Sequence, residues 1–407
     1  MTRYKGLILS SIIYILIGSQ SPGYGQVDTI KVFGQLSWKD KSITGFPEKV
    51  SISSKDQPTL SKQAAIDSLG NYSIFLPPGT YQVTPARSYH WMGEEYIRID
   101  HKNSLATIVV GSGEEVIAST LEINSIPPPD LTPEKGIMHK FNAKKALLLD
   151  NFVKVHMEYF DIPGASLALI KNGQIIYHKT YGLKNTSTKA PVDEKTLFEA
   201  GSITKPVFAF VVCRLAEKGI LDLDKPLHLY LPFEDVAHDD RYKLITARHV
   251  LSHRTGFPNW AKRNEKGQFD LRFTPGTDFG YSGEGFEYLK RVVERVTKKD
   301  IGIILEEELL KPLNLAHFYF EKSEYLAEFA ANGHYDQVPT EIRLPESPGM
   351  AWSMSTEARS FSAFIIALNN REGLQPETYH KMFSVHSTIP KDDSEKKAAG
   401  MKIYIGD

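Results

Sequence analysis

Cysteine is almost missing from this chain: Cys213 is the only one in 407 residues, so no disulfide can form within the chain. Excess charge is missing too. With 48 Lys and Arg against 49 Asp and Glu the formal net charge is −1, which leaves no electrostatic footprint for nucleic acid or an anionic membrane. The apolar run Leu7 to Ile17 is too short to span a bilayer. No G-x-x-x-x-G-K-[ST] phosphate loop, H-E-x-x-H pair, C-x-x-C pair or G-x-S-x-G elbow occurs. Zinc has no ligand set of known spacing, the histidines are scattered, and neither metal nor cofactor is expected. A hydrophobic content of 41% with 24% charged residues describes an ordinary globular protein, long enough for two or three domains.

The N-terminal 26 residues have the three parts of an export signal. Arg3 and Lys5 open it, Leu7 to Ile17 is its apolar centre, and Ser19 to Gly25 is small and polar. An exported protein, periplasmic or secreted, with no membrane span after signal removal is expected. From Val27 to Ile123 the pattern is all-β: Ile30 to Leu36 and Val50 to Ile52 alternate. In Ser68 to Val83 a turn at Gly70-Asn71 and another at Pro77-Pro78-Gly79 bracket the alternating run Tyr72 to Leu76. Residues 124–142, proline-rich from Ser125 to Gly136, read as an extended linker.

Beyond the linker, Ala143 to Phe160 has a helical pattern, and Gly164 to Thr180 reads as a hairpin turning at Asn172-Gly173. The stretch that concentrates chemistry is Phe198 to Gly219. Val207, Phe208, Val211, Val212 and Leu215 recur at helical spacing, Pro206 fits the first turn, and Gly219 fits the stop. Ser202 and Lys205 stand three residues apart at the mouth of this helix, where their side chains can meet. A serine hydroxyl is a weak nucleophile until a base takes its proton, and a desolvated lysine can be that base. Free backbone N–H groups at the helix start are aimed at any anion that forms near the serine. A second S-x-x-K, Ser394 to Lys397, lies in a charge run with no apolar helix behind it and reads as solvated surface.

Two resemblances extend this reading. Ser68 to Val83 resembles part of the carboxypeptidase-regulatory-like β-sandwich. The segments P-G-A-S-L-A-L-I-K-N-G-Q-I-I-Y-H-K-T-Y-G, F-E-A-G-S-I-T-K-P, L-D-L-D-K-P-L, I-T-A-R-H-V-L-S-H-R-T-G-F-P and F-G-Y-S-G-E-G-F resemble, in order and spacing, the serine β-lactamase and penicillin-binding-protein superfamily, nearest its class C β-lactamase, D-alanyl-D-alanine carboxypeptidase and esterase branch. The fold implied is multidomain: a β-sandwich over 27–123, then, over 143–407, an α/β domain with an antiparallel sheet flanked by helices and an all-helical subdomain. The resemblance gives Ser202 the role of acylated nucleophile, Lys205 a part in its activation, and Tyr281 that of general base and acid. It makes the backbone N–H of Ser202 half of an oxyanion hole, and His253 a structural residue of the site wall. Ser282 is left as an unassigned polar contact.

Two departures from the pattern bear on function. Gly283 stands where the family's Y-x-N motif has a substrate-contacting asparagine, and no K-[ST]-G or H-x-G follows Trp352 to Thr356. The last ten residues resemble a strand just beginning, so the hydrolase domain is expected to be incomplete at Asp407. The leading expectation is a serine hydrolase acting through an acyl-serine on an amide or ester, such as a D-alanyl cell-wall peptide, a β-lactam or a small ester. The alternative is a penicillin- or peptidoglycan-binding protein without turnover.

Overall fold

The computed structural model describes residues 29–57, 59–86, 89–92, 95–111, 115–127, 141–335 and 337–387. The export-signal pattern, most of the linker, the second S-x-x-K and the final ten residues lie outside the described residues. The chain divides into two compact units, Met1–Pro128 and Pro129–Asp407.

The alternating segments of the first unit form strands because alternate side chains can be buried on one face. These are β1 (Ile30–Trp38), β2 (Lys49–Ser54), β3 (Ser61–Ala65), β4 (Asn71–Leu76), β5 (Gly79–Pro85), β6 (Tyr89–Met92), β7 (Glu95–Ile99), β8 (Ala106–Val110), β9 (Val116–Ile117), β10 (Leu121–Ile123) and β11 (Ser125–Ile126). One sheet runs β3-β2-β5-β8, another β10-β1-β4 with β9 also on β1, and a third β11-β7-β6. Val32, Leu36, Val50, Ile52, Leu76, Val83 and Ile123 belong to one core, each at most 1% exposed. Pairing runs past the expected boundary at residue 123: Ser125 and Ile126 lie opposite Ile99 and Arg98. The reason is local, since the proline run begins only at Pro127 and a residue before proline favours extended backbone.

The second unit is α/β. Its helices are α1 (Ala143–Tyr159), α2 (Thr204–Glu217), α3 (Ala247–Leu251), α4 (Gly283–Thr297), α5 (Ile301–Leu305), α6 (Glu324–Phe329), α7 (Ala358–Asn369) and α8 (Pro376–Met382). Strands β12 (Gly164–Lys171), β13 (Gln174–Asn185) and β14 (Ala190–Pro191) form an antiparallel sheet in that order. Asn172 and Gly173, both at positive φ, make the turn between β12 and β13. The two faces of β13 are used differently. Tyr177, Lys179 and Tyr181, alternate residues, all reach Asp150 on α1, with Tyr181 Oη donating at 2.8 Å. His178, between them, has its Nε2 3.7 Å from Glu357 at the start of α7, which packs on β12 and β13. Between Glu199 and His334 every regular element is helical.

Helix α2 is the centre of this unit's core. Val207, Phe208, Phe210, Val211, Val212 and Leu215 are each at most 1% exposed, and Cys213 is buried beside them. Phe210 and Cys213 widen the apolar face read from the spacing, as expected of a helix surrounded by protein. Gly219 (φ 69°) takes the left-handed position after the last turn. Among the described residues no helix is long and apolar enough to cross a membrane.

Phe208→Ala is expected to cost about 3–5 kcal/mol, the usual range for emptying a buried phenylalanine site. Denaturant unfolding of the purified chain measures it; a loss below about 1 kcal/mol would show that α2 is not the core helix described.

Candidate active site

Backbone pairing delivers Ser202 to its place. Phe198 and Glu199 pair antiparallel with Thr356 and Ser355, and Ala200 N–H continues the ladder to Met354 O at 2.8 Å. Gly201 (φ 53°) then turns the chain into a short 3₁₀ turn, Gly201–Ile203, and α2 proper begins at Thr204. Ser202 and Lys205 therefore sit on either side of a 3₁₀–α junction rather than within one helix. Thr204 locks the junction: its hydroxyl donates to Gly201 O at 2.6 Å and accepts from Met354 N–H at 3.0 Å. Ser202 is exposed while Lys205 is only 4% exposed.

The junction brings the predicted pair into contact. Lys205 Nζ donates to Ser202 Oγ at 3.0 Å and to the Ala351 carbonyl at 2.7 Å. The same nitrogen lies 4.7 Å from the Tyr281 ring centroid and 5.7 Å from that of Phe286. Lys205 thus touches both Ser202 and Tyr281. Tyr281 also packs against the His253 ring, centroids 4.3 Å apart.

His253 (φ 56°) adopts left-handed backbone, and its Nδ1 accepts the Ser282 N–H at 3.1 Å while its carbonyl accepts the Gly280 N–H at 2.8 Å. It brackets Tyr281 from both sides in sequence. Its ring packs against Phe279, Tyr281 and Phe286, and burial together with the Lys205 charge pushes its pKa down to about 3. A neutral imidazole whose Nδ1 is committed to a backbone N–H holds the Tyr281 loop.

Ser282 and Gly283 have less to offer a substrate than their positions suggested. The Ser282 hydroxyl caps α4, accepting the Gly285 N–H at 3.0 Å, and donates to Pro258 O at 2.8 Å. The Gly283 N–H is taken by Asn259, whose Oδ1 and carbonyl oxygen both lie at 3.0 Å. Neither group is left for a ligand.

Two positioning groups had no signal in the sequence. Ala351 acts through its carbonyl, which any residue would supply. Glu287, in the second turn of α4, accepts the Ala351 N–H on Oε1 at 2.9 Å, and Lys290 donates to Pro348 O at 2.7 Å. Together they clamp the segment that holds Lys205. Burial pushes the Glu287 carboxyl up, opposed by the Ala351 N–H and by the charges of Lys290 and Lys205. A cavity of about 560 Å³ runs along α2 from Lys205 and His253 past Cys213, whose thiol is pushed up to about 11 chiefly by burial; neither Ser202 nor Tyr281 lines it. Among the described residues no three His, Cys, Asp or Glu side chains gather as a metal site.

The family described as Beta-lactamase matches residues 149–407. Protein flp of Staphylococcus aureus is 25% identical over 230 residues, covering 51% of this chain and 46% of that protein. Esterase EstB of Burkholderia gladioli is 28% identical over 223 residues, covering 46% of this chain and 56% of EstB. The chain thus spans about half the length of the curated relatives it matches. Among solved structures, the octameric penicillin-binding protein homologue from Pyrococcus abyssi superposes with a TM-score of 0.51 at 23% identity, over 61% of this chain and 62% of that one. D-alanine carboxypeptidase AmpC from Burkholderia cenocepacia gives 0.51 at 22% identity, over 60% and 69%. At these identities the superpositions speak for the fold alone.

Two measurements check the positioning. A histidine whose folded pKa lies below its unfolded value near 6.5 contributes stability that is complete above 6.5 and is lost as pH falls toward about 3. The melting temperature should therefore drop on acidification through that window, and His253→Asn, which tolerates positive φ, should flatten the drop; an unchanged slope would contradict the assignment. Glu287→Gln keeps an acceptor for Ala351 N–H and should stay close to wild type. Glu287→Leu leaves that N–H unpaired and should cost about 1–3 kcal/mol by thermal or denaturant unfolding; equal stabilities would contradict the clamp.

Proposed function

The chain belongs to the Beta-lactamase family, and from that premise we propose that it is a serine hydrolase working through an acyl-serine intermediate on an ester or amide. One observation carries the reading: Lys205 Nζ stands 3.0 Å from Ser202 Oγ, fixed from behind by the Ala351 carbonyl. In its neutral form the amine accepts the hydroxyl proton along that line. Ser202 Oγ then bonds to the substrate carbonyl carbon, and the carbonyl oxygen takes up the negative charge. The Ser202 backbone N–H is one donor to that oxyanion. Collapse of the tetrahedral species breaks the bond to the alcohol or amine, which leaves with a proton supplied through Lys205 and the Tyr281 phenol. Water then attacks the acyl-serine, releasing the acid and restoring Ser202.

The names of relatives, an esterase at 28% identity and a carboxypeptidase of the same fold, are compatible with either leaving group. The substrate is a small molecule or a peptide, with a cell-wall D-alanyl peptide or a β-lactam among the candidates. Export, read from the N-terminal pattern, belongs to the same proposal. A second reading, recognition of a cell-wall peptide without turnover, is favoured by Gly283, which supplies neither side chain nor free N–H.

Hydrolysis of p-nitrophenyl acetate separates the two. Ser202→Ala and Lys205→Ala should each lower kcat/KM by at least about a thousandfold, and Tyr281→Phe by about a hundredfold or more. Turnover that survives Ser202→Ala would overturn the nucleophile. No turnover, with saturable peptidoglycan binding unaffected by Ser202→Ala, would favour recognition.

A further inference from the structure

Trp260 is a large ring left 51% exposed, on a backbone that is unusually well tied down. On one side, the Asn259 carbonyl accepts the N–H groups of Gly283 and Glu284, each at 3.0 Å. On the other, Ala261 N–H donates to Glu284 Oε1 at 3.0 Å, and Arg263 pairs with the same carboxylate at 3.0 Å. The residue between is held against the first turn of α4, and its indole lies beside Gly283. A Cβ on Gly283 would fall 2.8 Å from indole Cη2 and 2.9 Å from Cζ2. The ring occupies the space that any side chain at 283 would need.

Along the chain that space is next to a reacting group. Gly283 is two residues from Tyr281, whose ring lies 4.7 Å from Lys205 Nζ. The polar groups nearby are already used: Gly283 N–H by Asn259, the Ser282 hydroxyl by Gly285 and Pro258. What this wall presents to a substrate is the half-exposed indole of Trp260, whose ring has a flat apolar face. Such a face favours another flat ring over a saturated ring of the same size, through offset or edge-to-face stacking.

We propose that Trp260 is a specificity-determining residue that selects ester substrates carrying an aromatic ring, stacked on its exposed face. This deepens the hydrolase reading and rests on it. Gly283 belongs to the same device, because the absence of its Cβ is what lets the indole lie there.

The test uses matched pairs that differ only in ring planarity: methyl phenylacetate against methyl cyclohexylacetate, and benzyl acetate against cyclohexylmethyl acetate. The first pair places the ring on the acyl side and the second on the alcohol side. Wild type should prefer the aromatic member of at least one pair. In Trp260→Ala that ratio of kcat/KM should fall by about two- to tenfold, the equivalent of one lost stacking contact. Trp260→Phe should keep most of it, and Gly283→Ala, which pushes the indole aside, should lose it. Turnover by wild type with ratios unchanged in Trp260→Ala overturns the proposal alone. No turnover of any of the four esters, with none of p-nitrophenyl acetate, overturns the hydrolase reading and this proposal with it.

Discussion

An amine taken out of water must have its N–H groups satisfied, and the structure of the second unit follows from how Lys205 meets that demand. Its Nζ is held by one backbone carbonyl, one serine hydroxyl and the faces of two aromatic rings. Each partner arrives from a different part of the chain. Ser202 comes from the 3₁₀ turn before α2, Ala351 from the segment before the Ser355–Thr356 strand, and Tyr281 and Phe286 from the start of α4. Fixing the amine therefore requires the helical region, the short β pairing and α2 to be assembled together. The buried face of α2 supplies the apolar contact that holds this assembly, at roughly 25 cal/mol for each Å² of apolar surface removed from water.

The sheet of the second unit works by division of faces. Alternate residues of β13 reach Asp150 on α1, and the intervening His178 lies near Glu357 of α7, so one strand fastens helices from both sides. Glu357 also accepts the N–H groups of Arg359 and Ser360, which makes it the cap of α7. The same segment that starts α7 carries Ser355 and Thr356, the partners of the strand leading to Ser202. Sheet packing and the geometry of the Ser202 turn are thus mechanically continuous.

What the sequence made legible was local. The spacing of Ser202 and Lys205, the apolar face of α2, the turn at Asn172-Gly173 and the alternation of the first unit depend only on neighbours along the chain. The α/β character of the second unit was implied by the family resemblance of its motifs, and the helices and the β12-β13-β14 sheet agree with it. The rest depends on contacts between segments far apart. Ala351 contributes a carbonyl, which no residue type advertises. Glu287 was hidden because its partner is a backbone N–H on another segment. Ser282 was left as an unassigned polar contact; in the fold its hydroxyl is used to cap α4. Gly283 read as a lost side chain; only the folded chain places Trp260 in the gap. The 3₁₀ turn at Gly201–Ile203 also escaped, since an i, i+3 spacing fits a continuous helix equally well.

The central claim is that Ser202, activated by Lys205, becomes acylated. Intact mass after exposure of the full chain to an activated ester or a penicillin, followed by peptide mapping, tests it most directly. The account predicts a single acyl adduct on the peptide containing Ser202, absent from Ser202→Ala and strongly slowed in Lys205→Ala. An adduct of the same mass persisting in Ser202→Ala would contradict it.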